Sequence, residues 1–145
     1  MNVFELLDPR LNGFLKGQGI LEPTEPQRKA IPAVLSGEHL LLVAPTGIGK
    51  TEAAMLPILT LLAKEGGPGI RCLYVTPLRA LNRDLLKRLK EMGASVGVNV
   101  AVRHGDTSQS ERTAQSKSPP DVMITTPETL QVLFTGRNLR MHLAN

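Results

Sequence analysis

The sequence predicts an α/β domain built on a mainly parallel sheet, and two observations carry that expectation. Four short β-rich runs stand out, three of them almost continuously apolar, which suits strands covered on both faces. Helical periodicity fills the stretches between them, so the order reads βαβαβαβ.

The elements follow in order. A helix fits residues 25–35, ahead of the first run. That run is residues 39–44 (HLLLVA), the first expected strand. A Gly-containing loop then opens a helix at Lys50. Pro57 inside this helix removes a bond to the Ala53 carbonyl and predicts a kink. The second strand is residues 71–76 (RCLYVT). Leu78, Leu81, Leu85, Leu89 and Met92 then recur at spacings of three and four, with Arg79, Arg83, Lys87 and Lys90 on the other side, which predicts one amphipathic helix. Residues 98–102 (VNVAV) form the third strand. Ser108-x-x-Glu111 is a capping box that opens a further helix. Residues 121–125 (DVMIT) form the fourth strand. Two strand ends read Thr76-Pro77 and Thr126-Pro127, each pairing a good N-cap with a proline suited to the first helical position. The stretches 66–69 (GGPG) and 116–120 (SKSPP) are loops.

Composition narrows the function classes. The 145 residues suffice for one domain with its own core. Hydrophobic residues at 41% and charged residues at 21% exclude a disordered or collagen-like chain. The longest apolar stretch, residues 53–63, is 11 long and contains Pro57, where a membrane span needs about 20. The opening MNVFELLDPR has acids where a signal peptide has a basic and then an apolar run, so no membrane association and a cytoplasmic setting are expected. A single cysteine, Cys72, leaves no intrachain disulfide and no thiolate metal cluster. Aromatic residues at 3% argue against base-stacking platforms. Charge is uneven: residues 1–70 carry 6 Lys/Arg against 7 Asp/Glu, and residues 71–145 carry 11 against 6. The second half can therefore face an anionic polymer.

The chemistry concentrates in residues 44–51 (APTGIGKT), between a strand and a helix. They match the phosphate-binding loop pattern with Ala44 in place of its first glycine. Gly47 and Gly49 let the backbone curl so that the N–H groups of Thr46, Gly47, Ile48 and Gly49 point inward at phosphate oxygens. Lys50 sets a compact positive charge on the β- and γ-phosphates, and the Thr51 hydroxyl ligates Mg²⁺. Lys50 and Thr51 are thus the expected catalytic residues, with ATP and Mg²⁺ as cofactors. Upstream, Thr24 and Gln27 lie in the segment EPTEPQ. The Gln27 amide offers a donor beside an acceptor, a match for N6 and N7 of adenine. A small kinase would need an Arg-rich lid after the loop helix, but residues 52–70 hold no Arg and only Lys64.

With these motifs in order, the chain resembles the first RecA-like domain of superfamily 2 helicases, and within them the Lhr-type (large helicase-related) group. The resemblance covers roughly residues 4 to 143. Pro23-Thr24-x-x-Gln27 is similar to the Q motif, which implies adenine contact by Gln27. Residues 44–51 are similar to motif I, where alanine at the first position is usual. Thr76-Pro77-Leu78-Arg79-Ala80-Leu81-Asn82 is similar to motif Ia, and Thr125-Thr126-Pro127-Glu128 to motif Ib. Both imply contact with a nucleic-acid backbone, through Thr76, Pro77, Leu78 and Arg79 and through Thr126, Pro127 and Glu128. His104-Gly105-Asp106 resembles the segment between them in Lhr-like and Ski2-like proteins. The implied activity is ATP-driven translocation along one strand with unwinding of a duplex, with DNA favoured over RNA.

The resemblance also implies what these residues do not contain. Motif II, a strand ending in Asp-Glu-x-His or a variant, is absent, as are motif III and a second RecA-like domain with its arginine finger. Residues 1–145 then form the N-terminal part of the first domain, truncated before the motif II strand. The expectation is ATP and strand binding without turnover by this chain alone, that is, a non-catalytic binding fragment whose partner is the missing C-terminal half. The phosphate-loop strand is expected to show a bare edge.

Overall fold

A computed structural model describes residues 1–47 and 49–144, and the chain divides into two compact units. The first comprises residues 1–65 with 95–97, and the second residues 66–94 with 98–145.

The first unit is helical. A 3-10 turn, Val3–Leu6, precedes α1 (Pro9–Gly17), α2 (Glu25–Leu35) and α3 (Lys50–Lys64). Asp8 caps α1, accepting from the Arg10 N–H at 2.9 Å, and Pro9 takes the first helical position. Phe4, Leu11, Leu15, Ile31, Met55, Leu56 and Leu59 are the large buried side chains here, and α2 lies along α3. Both helix starts expected at residues 25 and 50 hold. Helix α3 runs through Pro57, which is buried.

Residues 39–44 are not a strand, contrary to the expectation from HLLLVA. They take no regular structure, and Leu41 and Val43 are 88% and 85% exposed. The reason is physical: a strand is completed by a neighbouring backbone, and no strand lies in this unit among the described residues. Exposed apolar side chains result, and the bare strand edge expected of this run does not arise because the run is not a strand.

The second unit carries the sheet. Strands β1 (Cys72–Val75), β2 (Val100–Arg103) and β3 (Val122–Thr125) run parallel in the order β1-β3-β2. Central β3 is buried throughout, as its unbroken apolar run requires. Cys72 and Val100 both lie opposite Val122. One acidic side chain aligns the three strand starts. Asp121 accepts from the Arg71 guanidinium at 2.9 Å through one oxygen and from the Asn99 N–H at 2.9 Å through the other. Met123, Ile70 and Leu133 form a buried cluster with Leu130 and Leu143 against it. β1 leaves Leu73 and Val75 exposed.

Helix α4 (Arg83–Ser95) is shorter than the leucine spacing predicts. Leu78 lies instead in a 3-10 turn, Leu78–Ala80, and is 56% exposed. The break comes at Asn82, whose side chain accepts from the Leu85 N–H at 2.8 Å and so starts α4 one residue later. Thr76-Pro77 is likewise not a helix start of the expected kind. Thr76 extends the ladder by donating to the Thr125 carbonyl at 3.0 Å, and Pro77 is extended at ψ 148. Thr126-Pro127 does behave as expected. The Thr126 hydroxyl accepts from the Thr129 N–H at 3.2 Å and Pro127 opens α6 (Pro127–Leu133). Helix α5 (Gln109–Lys117) begins behind Ser108, which caps the Glu111 N–H at 3.2 Å. Helix α7 (Arg137–Leu143) closes the unit, and its His142 carbonyl accepts from the Ile70 N–H.

Candidate nucleotide and nucleic-acid sites

In the first unit the phosphate-loop residues meet the upstream glutamine. Gly49 sits at the N-cap of α3 in the left-handed region, at φ 75, and Gly47 is there too at φ 86. A side chain is strained at both positions. Gly49 is also crowded, because a Cβ there would collide with Gln27 Nε2. That amide nitrogen donates to the Gly49 carbonyl at 3.3 Å across 22 residues of sequence. Gln27 Oε1 accepts from the Thr24 N–H at 3.0 Å, and the side chain is 5% exposed. Each end of the amide makes one such bond, which leaves a second hydrogen and a second lone pair.

The Thr24 hydroxyl is buried beside them without a hydrogen-bond partner. An orphaned buried hydroxyl beside left-handed Gly49 fits a site completed by a polar ligand. Lys50 and Thr51 are half-buried in the first turn of α3, and Thr46 is exposed ahead of Gly47. Ile48 lies outside the described residues.

In the second unit, an open groove of about 470 Å³ follows the carboxyl ends of the strands. Pro77 and Leu78 after β1, Gly105 after β2, and residues 126–129 after β3 line it. Thr126 is 3% exposed, whereas Pro127 and Glu128 are exposed. Of the residues expected to touch a nucleic-acid backbone, the groove therefore gathers Pro77, Leu78, Thr126, Pro127 and Glu128. Thr76 is occupied by the ladder, and Arg79 stands exposed on the turn after Pro77.

A model of the DEAD/DEAH box helicase family matches residues 24–144. The chain belongs to the DEAD/DEAH box helicase family. Among curated helicases it is 39% identical to ATP-dependent helicase Lhr-Core of Methanothermobacter thermautotrophicus, over 83% of this chain and 16% of that protein. It is 35% identical to the Lhr helicase/uracil glycosylase of Escherichia coli, over 80% of this chain and 9% of that one. Among solved structures it is similar to the Mycobacterium smegmatis helicase Lhr bound to ssDNA and AMP-PNP. The TM-score is 0.82 at 32% identity, covering 99% of this chain and 20% of the other. A hypothetical ATP-dependent RNA helicase from Sulfolobus tokodaii gives a TM-score of 0.73 at 30% identity, covering 89% of this chain and 37% of that one. The chain thus spans a fifth or less of the Lhr proteins it matches. The fold is that of a fragment of a RecA-like helicase domain.

Sequence reasoning missed two features of this helicase fragment. Gly105 enters the groove wall, although His104-Gly105-Asp106 reads locally as a turn. Arg112, within the polar helix α5, donates to the carbonyls of His104, Gly105 and Thr107. The clue to it was positional: α5 begins directly after the turn, so its first exposed face can reach back. Arg103 shows the cost of that arrangement. Burial and the nearby Arg112 charge hold its guanidinium below the usual arginine range, and its buried Nε has no hydrogen-bond partner. Cys72 is partly buried, and that burial pushes its thiol pKa up, so little thiolate is present at neutral pH. Among the described residues no helix is long and apolar enough to cross a membrane.

Proposed function

We propose that residues 1–145 are the N-terminal part of the first RecA-like domain of an Lhr-type helicase, with the role of binding Mg²⁺-ATP and one nucleic-acid strand. The observation that supports this best is the meeting of Gln27 with Gly49. It joins the adenine-matching amide to the glycine at which the proposed phosphate loop enters α3, across 22 residues. The Gln27 side-chain carbonyl is held locally, as the third-residue partner of Thr24 in the capping box of α2; its bond to Gly49 is the part that local capping does not require.

In this reading Gln27 reads the adenine edge with its remaining donor and acceptor, beside Thr24. The backbone N–H groups of Thr46, Gly47, Ile48 and Gly49 surround the phosphates. Lys50 neutralises charge on the β- and γ-oxygens. Thr51 would hold Mg²⁺, which when bound withdraws charge from the same oxygens. Pro77, Leu78, Thr126, Pro127 and Glu128 form the seat of a single strand, with Thr76 and Arg79 beside it. Such contacts address the backbone rather than the bases. DNA is favoured over RNA, in keeping with the Lhr complex described above, and the setting is the cytoplasm.

Turnover needs more than a cradle. Hydrolysis also requires a metal-holding carboxylate beside the Thr51 hydroxyl, a group that orients water and an arginine on the transferring phosphoryl. No Asp-Glu-x-His strand occurs in these residues. The chain alone therefore binds without hydrolysing, and a C-terminal helicase half completes the site.

Titration calorimetry with Mg²⁺-AMP-PNP tests the nucleotide half. Saturable binding is expected, lost in Lys50→Ala and weakened about tenfold or more in Gln27→Ala. Binding indifferent to Lys50 refutes it. ATPase of the 145-residue chain at intact-helicase rates, abolished by Lys50→Ala, refutes the completing half. Oligo-dU against oligo-U, titrated in parallel, decides the sugar.

A further inference from the structure

The loop that follows β2 is held in a way its own sequence does not require. Arg112 reaches back from α5 and donates through Nε to the Thr107 carbonyl at 2.9 Å. Its second terminal nitrogen donates to the carbonyls of His104 and Gly105, each at 3.1 Å. The loop adds bonds of its own. The His104 N–H donates to the Thr107 hydroxyl at 2.9 Å, and the Asp106 N–H to His104 Nδ1 at 3.0 Å. Thr107 is 8% exposed. On the sheet side, the Thr125 hydroxyl donates to the Arg103 carbonyl at 2.7 Å, which ties the end of β3 to the residue just before the loop. A continuous set of bonds therefore runs from Thr125, the residue before groove-lining Thr126, to Arg112.

Three carbonyls turned toward one guanidinium orient the intervening backbone, and Gly105 within it lines the same groove as Pro77, Leu78 and Thr126. We propose that Arg112 is a positioning residue of the single-strand groove, fixing the loop so that Gly105 forms part of the wall against which a nucleic-acid backbone lies. The proposal rests on the reading of that groove given above. Arg112 spends its fork on protein carbonyls, so its charge is not offered to a phosphate. A lysine supplies a point charge and cannot span three carbonyls in the same plane. The nearby Arg103 carries a like charge and an unpaired Nε, so the arginine is kept beside an unfavourable neighbour. Bonds to the loop carbonyls offset that repulsion.

The test uses the 145-residue chain, Arg112→Lys and Arg112→Gln, with a fluorescent oligo-dT titrated across a salt series. AMP-PNP affinity is measured alongside, and hydrogen exchange of the Val122–Thr125 amides reports whether the sheet stays intact. Both variants are expected to lose about tenfold or more in strand affinity, with nucleotide affinity and β3 protection unchanged. The slope of log affinity against log salt is expected to stay that of the parent. Removal of a phosphate contact would instead lower it by about 0.7 on a single strand. Arg112→Lys binding like the parent overturns the proposal. So does a lowered slope in Arg112→Gln, which makes Arg112 a phosphate ligand. Lost β3 protection overturns it too, by making Arg112 a residue of the fold at large. A parent chain that binds AMP-PNP but no strand refutes the groove itself, and the positioning role with it.

Discussion

Residues 40–43 (LLLV) and 122–125 (VMIT) are near equals as sequence, yet they end in opposite environments. The second run is the central strand, bonded on both sides and buried at every position. The first makes no ladder, and its Leu41 is 88% exposed while Met123 is fully buried. Apolar composition states only that a segment can be a buried strand. Whether it becomes one depends on backbone partners brought from elsewhere in the chain.

The largest expected effect breaks the symmetry between these runs directly. Met123→Ala should destabilise the second unit by about 2–5 kcal/mol, because its buried cluster would be left with a cavity. Leu41→Ala should change stability by less than about 0.5 kcal/mol, as at other exposed positions. Urea unfolding of both variants checks this. Equal losses would mean that residues 40–43 are packed in solution. Hydrogen exchange should agree, with amides 40–43 exchanging fast and those of Val122–Thr125 slowly.

The next effect sharpens the account of what builds the sheet. Gly93 lets α4 approach β2. A Cβ there would lie 2.6 Å from Val100 Cγ2 and 2.7 Å from the Val98 carbonyl oxygen. Gly93→Ala is expected to cost about 1–3 kcal/mol despite alanine's better helix propensity. A stabilised variant, read from the same denaturant curve, would show that α4 and β2 have room to part.

A smaller loss is expected at a cap in the helical unit, where local capping replaces pairing. Asp8→Ala should cost about 1 kcal/mol through the lost N-cap of α1. The hydrogen bond from the Arg10 side chain holds the Asp8 carboxyl below its ordinary value. A lowered folded pKa gives stability that is present in full above the unfolded value, about 3.9, and lost as pH falls through the folded one. The gap between parent and Asp8→Ala should therefore narrow below that pH. A gap that stays constant into acid would assign the cap no charge-dependent share.

The same contrast governs how much could be read in advance. Helices α2 and α3 begin at Glu25 and Lys50, where the sequence predicts them, since caps and glycines act within a turn. Strands β1 and β3 lie within the runs expected of them, and β2 is displaced only slightly. The start of α4 departs from the leucine spacing because Leu78 and Leu81 continue a periodicity that Asn82 interrupts. Of the proposed site residues, 44–51 stand out as a pattern because a loop that surrounds a phosphate must be contiguous. Gln27 was legible only as a residue type at a suggestive place, and its bond to Gly49 is a tertiary fact.

What local sequence settled is what local physics controls: the starts of α2, α3 and α6, the two left-handed glycines, the capping of α5 and the parallel α/β class. Pairing and long-range polar contacts were decided in three dimensions. They gave β3 its two neighbours and left residues 39–44 with none, set Asp121 across three strand starts, and joined Arg112 to the loop at Gly105. A hydrogen bond between distant residues depends on where the whole chain puts its partner, and no window of sequence around either residue contains that information.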